Sequence, residues 1–253
     1  MSERINILLY DAHAHLPGTD STKHSTADEI VPESFDLQYV IINGTSTTDW
    51  EATIEFAEKN SRVLPAIGLH PQKVQNAPDD WKTFFLQLIE SNPICAIGEI
   101  GLDRKDRHND VEKQLDAFCW QLQQAHARDF PVSIHCLKAT GMLMDTLRTQ
   151  DLPSRGIHLH AYNGSVELIP ELVELGAYFS FAARQLDFNS KKIQDRICAV
   201  PIQRLLIETD ANYRNDCSTL YHCYKAIAEI RNMPLEKLAE TTAENFETYF
   251  LNP

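Results

Sequence analysis

The side chains that could do chemistry in this sequence follow short apolar runs. Six of the ten histidines stand at such positions: His13, His15, His70, His135, His158 and His160. Glu99 lies inside the run GEIGLD, and Glu208 and Asp210 end the run LLIETD. Imidazole and carboxylate ligands together suit Zn²⁺, Mn²⁺ or Fe, and also Mg²⁺ where water completes the shell. The pattern predicts a site for one or two divalent ions (Mg, Mn or Zn).

The H-x-H pair, His13 and His15, ends the first apolar run. Side chains alternate along a strand, so residues two apart share a face. Both imidazoles can therefore point to one centre and are candidate metal ligands. A pair of hydrogen-bonded core histidines is the alternative.

Glu99 stands between Gly98 and Ile100 in an apolar strand pattern. A carboxylate buried in a central strand is costly unless it is paired or bound to metal. No basic residue is adjacent to it in sequence, so metal binding is favoured over a salt bridge. One carboxylate can also bridge two ions, which two-metal sites hold roughly 3.5–4 Å apart.

Two further histidines, His135 in PVSIH and His160 in GIHLH, end later apolar runs. Each alone is typical of a core histidine, but with Glu99 and Asp210 at equivalent strand ends they predict metal ligation. Asp210 can also take a proton from the attacking water. Glu99 and Asp210 are therefore the predicted catalytic residues.

Glu208 and His158 each lie two residues before a predicted ligand. We expect them one layer deeper, Glu208 as a hydrogen-bond acceptor that orients a ligand histidine and His158 in a similar place or in the core. His70 precedes Pro71. We expect His70 to orient substrate or to support the ligands.

Eight apolar runs alternate with helical patterns, which is typical of a parallel sheet. The predicted strands are Ile5–His13, Tyr39–Thr45, Val63–His70, Ile94–Leu102, Pro131–Cys136, Gly156–Ala161, Ala177–Ala182 and Arg204–Thr209. Eight such units in 253 residues predict an α/β fold, a (β/α)8 TIM barrel, with residues 1–253 as a single domain. An open doubly wound sheet is the alternative, but no G-x-G-x-x-G or G-x-x-x-x-G-K motif supports it. A barrel collects its active-site residues at the carboxyl ends of its strands, where the residues above fall.

The net charge of −13 argues against a protein that coats nucleic acid with a broad basic face. It leaves open a pocket in which bound cations attract a few nucleotides. The six cysteines form no C-x-x-C pair, so neither a zinc ribbon nor a disulfide scaffold is expected. No apolar run approaches a membrane span, so we expect a cytoplasmic protein that does not contact membranes.

Six segments of the chain resemble the TatD family of metal-dependent deoxyribonucleases, which belong to the amidohydrolase-like barrels. They are DAHAHL (11–16), AIGLHP (66–71), AIGEIGLDR (96–104), PVSIHC (131–136), HLHAYNGS (158–165) and LLIETDAN (205–212). An ENF turn (244–246) also resembles the end of the family's pattern. The order and spacing of H-x-H, GEIGLD and ETD make the resemblance specific.

The resemblance implies a TIM barrel with one or two divalent ions. It implies that His13, His15 and Asp210 bind one ion, that His135 and His160 bind the other, and that Glu99 bridges them. It also implies phosphodiester hydrolysis by metal-activated water, notably removal of nucleotides from DNA ends.

Three positions depart from the family's pattern. Gln72 and Leu137 replace a frequent histidine and arginine, and Asn212 replaces a proline. The first two departures remove expected phosphate contacts. The cations that could substitute are Arg104, Arg107, Lys138 and Arg184. We predict substrate binding by His70, Lys138 and Arg104, and we hold Tyr162 and Tyr213 as equally consistent with base stacking or with an ordinary barrel rim.

These observations favour a divalent-metal-dependent hydrolase that acts on ester bonds, a deoxyribonuclease working from single-stranded DNA ends. The alternative is hydrolysis of a small-molecule phosphate ester or amide at the same ions. A scaffold that keeps metals for structure and binds a partner protein is a third hypothesis. The stretch 20–33 is either a lid over the end of the first strand or a plain surface loop.

Overall fold

Seven parallel strands form one sheet, and they neighbour one another in chain order. The computed structural model describes residues 7–16, 35–105, 110–185, 190–211 and 218–252. The strands are β1 (Ile7–Ala14), β2 (Phe35–Gly44), β3 (Val63–Ile67), β4 (Ala96–Asp103), β5 (Val132–Leu137), β6 (Ile157–Leu159) and β7 (Ala177–Phe179). The first seven predicted strands are confirmed, with bounds that differ by a few residues.

Helices connect the strands, as parallel pairing requires. They are α1 (Trp50–Glu58), α2 (Trp81–Ser91), α3 (Val111–Arg128), α4 (Thr140–Thr149), α5 (Ile169–Glu174), α6 (Lys191–Ala199), α7 (Ser218–Ile230) and α8 (Leu235–Phe246). The longest, α3, begins where the Asp110 side chain accepts hydrogen bonds from two backbone N–H groups of the first turn. It ends at Asp129, which adopts the left-handed conformation with φ 54°. Among the described residues, no helix has the length and apolarity needed to cross a membrane.

The predicted eighth strand, Arg204–Thr209, is not a regular strand in the structure. Its pairing with β7 consists of one isolated bridge between Leu205 and Phe179. A short 3₁₀ turn, Ile202–Arg204, occupies the place where the strand was expected to begin. The eight-stranded prediction is corrected to seven regular strands because this segment lacks a continuous ladder to β7.

Segment 205–211 nevertheless contacts both edges of the sheet. The Leu206 N–H donates to the Phe179 carbonyl at 2.8 Å. On the other side, the Ala12 N–H of β1 donates to the Ile207 carbonyl at 2.8 Å. These bonds hold Glu208 and Asp210 beside the end of β1.

The inner face of the sheet is filled at the amino ends of the strands. Alanines of the strands, among them Ala66 and Ala96, pack there with aromatic residues of the C-terminal turn. The Tyr249 hydroxyl accepts from the Val132 N–H at 3.0 Å and donates to the Val132 carbonyl at 2.7 Å. Because this end is closed by packed side chains, the polar residues at the carboxyl ends form the accessible site.

Candidate active site

Glu99 is directed into the site by an irregularity in β4. Gly98 pairs with Ser133 and Ile100 pairs with Ile134, so Glu99 is an extra residue between two successive pairs. Such a bulge re-aims a side chain relative to strict alternation. Glu99 is 3% exposed.

Gly101, two residues further on, allows β4 and β5 to approach closely. It has φ 134°, and a Cβ atom at this position would lie 2.0 Å from the His135 carbonyl oxygen. Only glycine fits this conformation and this distance. The glycine therefore lets Glu99 and His135 lie on adjacent strands with their side chains in one site.

Five imidazoles surround the Glu99 carboxylate. Its Oε1 lies 2.8 Å from His135 Nδ1, 2.8 Å from His160 Nε2 and 3.3 Å from His70 Nε2. Its Oε2 lies 3.6 Å from His13 Nε2 and 3.7 Å from His15 Nε2. The structure thus brings together all the predicted histidine ligands with Glu99, and it adds His70 to the same cluster.

Asp210 completes the cluster from segment 205–211. Its Oδ1 lies 3.3 Å from His15 Nε2, and its backbone adopts a left-handed conformation with φ 49°. Three groups have ligand atoms within 4.8 Å of one another: His13, His15 and Glu99; His13, His160 and Asp210; and His70, Glu99 and His135. These groups differ from the predicted assignment, because His160 lies with His13 and Asp210 while His70 lies with Glu99 and His135.

Hydrogen bonds at the outer ring nitrogens orient two of these imidazoles. His15 Nδ1 donates to the Asn43 carbonyl oxygen at 3.3 Å. His135 Nε2 lies 3.3 Å from Asp103 Oδ2. The opposite nitrogens, His15 Nε2 and His135 Nδ1, face the centre of the cluster. Carbonyl and carboxylate partners of this kind are usual behind metal-binding histidines.

His70 differs from its neighbours in the direction of its hydrogen bonds. The Gln72 backbone N–H donates to His70 Nδ1 at 3.1 Å, so this nitrogen is an acceptor. Burial lowers the pKa of His70 below its ordinary value, which favours the neutral ring. In the neutral ring the proton then resides on Nε2, which points at Glu99. In this arrangement the His70 Nε2–H group can donate a hydrogen bond to Glu99.

The charges of the cluster are strongly coupled. Burial alone would raise the pKa of Glu99, but His70, His160 and the surrounding histidine hydrogen bonds hold it well below its ordinary value. Burial opposes the charged form of His160, yet Glu99 and Glu208 raise its pKa to about 9. Burial and the charge of His160 lower the pKa of His13 to about 3. The protein alone therefore holds Glu99 as a carboxylate beside a protonated His160.

A divalent cation fits this set of residues. His13 Nε2 is fully buried and has no hydrogen-bond partner among the described residues. Such groups are rare in folded proteins and call for an explanation such as a bound ion or water. Imidazole nitrogens and carboxylate oxygens are the donors that Zn²⁺ and Mn²⁺ prefer.

Asp103 is a further polar residue of the site that the sequence patterns did not single out. It is 1% exposed and contacts His135 as described above. Its Oδ2 accepts from the Gln72 side-chain amide at 2.6 Å, and its Oδ1 accepts from the Lys105 N–H at 2.7 Å. Burial raises its pKa, but these bonds and His135 lower it to about 2. The sequence did contain a signal for Asp103, because a carboxylate that ends the buried run GEIGLD needs a partner.

Glu208 and His158 lie beneath the cluster, as predicted, and both are fully buried. Glu208 Oε1 accepts from the Ala161 N–H at 2.9 Å and lies 3.7 Å from His160 Nδ1. Ser133 and Ser180, which were not predicted, contact the same layer. Ser133 stands two residues before His135, so the argument applied to His158 would have found it.

The predicted substrate cations Arg104 and Lys138 lie on the exposed loops that follow β4 and β5. The Arg104 N–H donates to the Leu137 carbonyl at 2.9 Å and thereby joins the two loops. Within the described part of the chain, neither side chain is paired with a carboxylate. Both side chains are exposed, and they follow the strands that carry Asp103 and His135.

Tyr162 is 6% exposed, and its hydroxyl donates to the Ser165 carbonyl at 2.7 Å. Its ring also packs edge-to-face against Phe179, which favours an ordinary barrel-rim position over base stacking. The remaining predictions lie outside the described residues or side chains: the stretch 20–33, Arg107, Arg184, Asn212 and Tyr213.

Comparison with known proteins gives one consistent result. Residues 10–251 match the TatD-related DNase family. The chain is 27% identical to the uncharacterized metal-dependent hydrolase YabD of Bacillus subtilis (strain 168), over 96% of this chain and 99% of that protein. It is also 27% identical to the 3′-5′ ssDNA/RNA exonuclease TatD of Escherichia coli (strain K12), over 96% and 98% of the two chains.

The solved structures agree. The TatD homologue YjjV of Escherichia coli K12 superposes with a TM-score of 0.78 at 26% identity, covering 86% of this chain and 88% of that one. A TatD-family hydrolase of Entamoeba histolytica gives a TM-score of 0.80 at 20% identity, covering 98% and 100%, which shows the shared fold.

Proposed function

This chain belongs to the family of TatD-related DNases, which are metal-dependent hydrolases, and we propose that it hydrolyses phosphodiester bonds at the ends of single-stranded DNA. The observation that carries the proposal is the convergence of His13, His15, His135 and His160 on the buried Glu99 carboxylate, with Asp210 beside them. One relative that matches nearly the whole chain is named a 3′-5′ ssDNA/RNA exonuclease, which supports the substrate class.

The residues that would hold one or two divalent cations are His13, His15, Glu99, His135, His160 and Asp210. Glu99 would be a ligand available to both sets of histidines, because its two oxygens face different histidines. Bound there, a cation supplies Lewis acidity that makes water a better nucleophile and neutralises charge on the phosphoryl oxygens.

The protein's own side chains then have distinct tasks. Asp210, at the edge of the cluster, takes the proton from the attacking water. His70, which bears its proton on Nε2, donates a hydrogen bond to a phosphoryl oxygen of the substrate. Lys138 and Arg104 attract the phosphate backbone of the incoming strand.

We also infer that residues 1–253 form one domain whose sheet is completed as a (β/α)8 barrel. Segment 205–211 supports this, because it hydrogen-bonds to Phe179 of β7 and to Ala12 of β1. It would stand in the position of an eighth strand without forming a regular ladder.

Nucleotide release from a short 3′-labelled single-stranded DNA, with Mg²⁺ or Mn²⁺, tests the proposal. We expect release by the natural protein and its loss, by at least about 10²-fold, in Glu99→Gln and Asp210→Asn. Glu171→Gln is the matched control, because Glu171 of α5 pairs with Arg148 of α4 on the exposed surface and is not a member of the cluster. Release that survives in both site variants would show that the activity lies elsewhere.

Hydrolysis of a small-molecule phosphate ester or amide is the second candidate. It is favoured by Gln72, whose side-chain amide is engaged by Asp103 at 2.6 Å, and by the overall charge of −13. A panel of nitrophenyl phosphates and cyclic amides, assayed beside the DNA, discriminates the two. If a panel compound is turned over much faster than DNA, we would conclude that the substrate is a small molecule of that class. Metal-dependent stability without turnover of any compound would instead favour the scaffold hypothesis.

A further inference from the structure

We propose that a buried hydrogen-bond chain from Glu208 to His13 determines which ring nitrogen of His13 carries its proton. The chain runs through Ser180, His158 and Ser133. These three residues and Glu208 are therefore positioning residues for the metal site. The inference rests on the proposed metal site for its functional meaning, but the proton arrangement itself can be tested without metal or DNA.

The chain crosses the interior beneath the cluster. Successive oxygen and nitrogen atoms lie at hydrogen-bond distance: Glu208 Oε2 to Ser180 Oγ 2.5 Å, Ser180 Oγ to His158 Nε2 2.6 Å, His158 Nδ1 to Ser133 Oγ 3.4 Å, and Ser133 Oγ to His13 Nδ1 2.9 Å. All five residues are 0% exposed. Bulk solvent therefore does not reach these atoms, and the protons within the chain must be mutually consistent.

Glu208 determines the direction at one end. Its Oε1 accepts from the Ala161 N–H, and its Oε2 accepts from the Ser180 hydroxyl. The contact of 2.5 Å between Glu208 Oε2 and Ser180 Oγ is typical of a hydroxyl that donates to a carboxylate, and a carboxylate can only accept. Since the single hydroxyl proton of Ser180 is used on Glu208, Ser180 Oγ must accept from His158 Nε2–H.

The same accounting continues through the two remaining links. Each ring nitrogen of His158 faces a serine hydroxyl, and a neutral ring between them has one N–H group. With the proton on Nε2, its Nδ1 accepts from the Ser133 hydroxyl. Ser133 Oγ can then accept from His13, which places the His13 proton on Nδ1 and leaves a lone pair on Nε2.

The free end of the chain is independent support. His13 Nε2 faces Glu99 Oε2 at 3.6 Å and makes no hydrogen bond with any described residue. With a lone pair on His13 Nε2, two electron-rich atoms face each other across this gap. A cation between His13 Nε2 and Glu99 Oε2 would be attracted to both. The chain therefore presents His13 in the form that can bind a cation.

The reverse arrangement is chemically possible and provides the test. In Glu208→Gln, the side-chain carbonyl can still accept from the Ala161 N–H, while the amide NH₂ donates to Ser180. Every proton of the chain then shifts to the opposite partner. His13 would carry its proton on Nε2, where it blocks a cation.

The experiment is nitrogen-15 NMR of histidine-labelled, metal-free protein, with signals assigned by single His→Gln variants. In the natural protein we expect His158 protonated on Nε2 and His13 on Nδ1. In Glu208→Gln we expect both tautomers to invert and the affinity for Mn²⁺, measured by calorimetry, to fall about 10–100-fold. Ser133→Ala should leave the His158 tautomer unchanged. In His13 it should remove the preference for a proton on Nδ1.

Two controls separate positioning from loss of structure. Glu171→Gln makes the same chemical change on the exposed surface, and Thr242→Val removes a buried hydroxyl that bonds within α8 and to Tyr224. Neither should alter the tautomers or the Mn²⁺ affinity. A natural His13 protonated on Nε2 would overturn the inference, and so would unchanged tautomers in Glu208→Gln. Absence of DNase activity would overturn the proposed function while leaving the tautomer result intact.

Discussion

The rings of His13 and His160 stack face to face, with centroids 4.0 Å apart and an angle of 11° between their planes. One residue belongs to β1 and the other follows β6. Two stacked imidazolium rings would repel, so the pair favours a single positive charge. The opposite pKa shifts of the two rings, to about 3 for His13 and about 9 for His160, express this difference. Nε2 of each ring faces the same carboxylate, that of Glu99.

Cation binding should release protons. His160 has a pKa of about 9, and the pKa of His135 is also raised, by its bonds to Asp103 and Glu99 against the effect of burial. His160 must lose a proton before it ligates metal, and the raised pKa of His135 acts in the same direction, so the affinity should rise with pH up to about 9. Calorimetry of Mn²⁺ binding at pH 7, in buffers of different ionisation enthalpy, should show release of about one to two protons. Binding heats that do not depend on the buffer would contradict this.

Gly101→Ala should disturb both stability and metal binding. The new Cβ would lie 2.0 Å from the His135 carbonyl oxygen, in a conformation that side chains rarely adopt. We expect unfolding to become easier by roughly 1–3 kcal/mol and Mn²⁺ affinity to fall. Denaturant titration and calorimetry measure the two effects.

Gly141→Ala is the matched control for that substitution. A Cβ atom added at this position in α4 would have nothing within 4 Å of it. The free energy of unfolding should rise by roughly 0.4–1 kcal/mol, with unchanged Mn²⁺ affinity. Equal effects of the two substitutions would refute the close approach of β4 and β5 as the cause.

Lys138→Gln should weaken binding of DNA without slowing the chemical step. Lys138 is exposed beside the site, and glutamine keeps much of the length of the side chain while removing its charge. We expect KM for single-stranded DNA to rise several-fold, kcat to stay unchanged, and the salt dependence to decrease by about 0.7 in log–log slope. Lys237→Gln, at an exposed lysine that pairs with Glu240, should change none of these. A fall in kcat alone would assign Lys138 a different role.

Tyr249→Phe should destabilise the closed end of the sheet without altering the site. The lost hydroxyl pairs both backbone groups of Val132, which would be left buried without partners. We expect a loss of about 1–3 kcal/mol and a Tm lower by several degrees. Activity per folded molecule should be unchanged at temperatures well below the transition. An unchanged Tm in Tyr249→Phe would show that the Tyr249 hydroxyl does not contribute to stability.

Many features of the fold and the cluster could be predicted from local patterns. Apolar runs separated by helical periodicity predicted seven of the strands. The prediction of an eighth strand was wrong because Leu205 and its neighbours are apolar but pair with β7 only in isolated bonds. Periodicity reports burial and does not report whether a ladder is continuous.

The chemical types at the strand ends predicted which residues would gather, because parallel strands bring their carboxyl ends to one edge. Alternation could not predict how Glu99 enters the site, since β4 has an irregularity at that residue. Nor could it show that His70 is a hydrogen-bond donor, which depends on the Gln72 N–H. The pairing of Gln72 with Asp103 likewise joins residues from separate loops.

Residue identity and spacing were sufficient to place histidines and carboxylates at one edge of a parallel sheet, because burial and strand direction act through local sequence. The protonation of each ring was decided by tertiary structure alone. Ser133 and Ser180 lie on different segments from His13, and their hydroxyl protons have a direction only once Glu208 is buried beside them. Hydrogen bonds between distant segments depend on distances that no single segment contains.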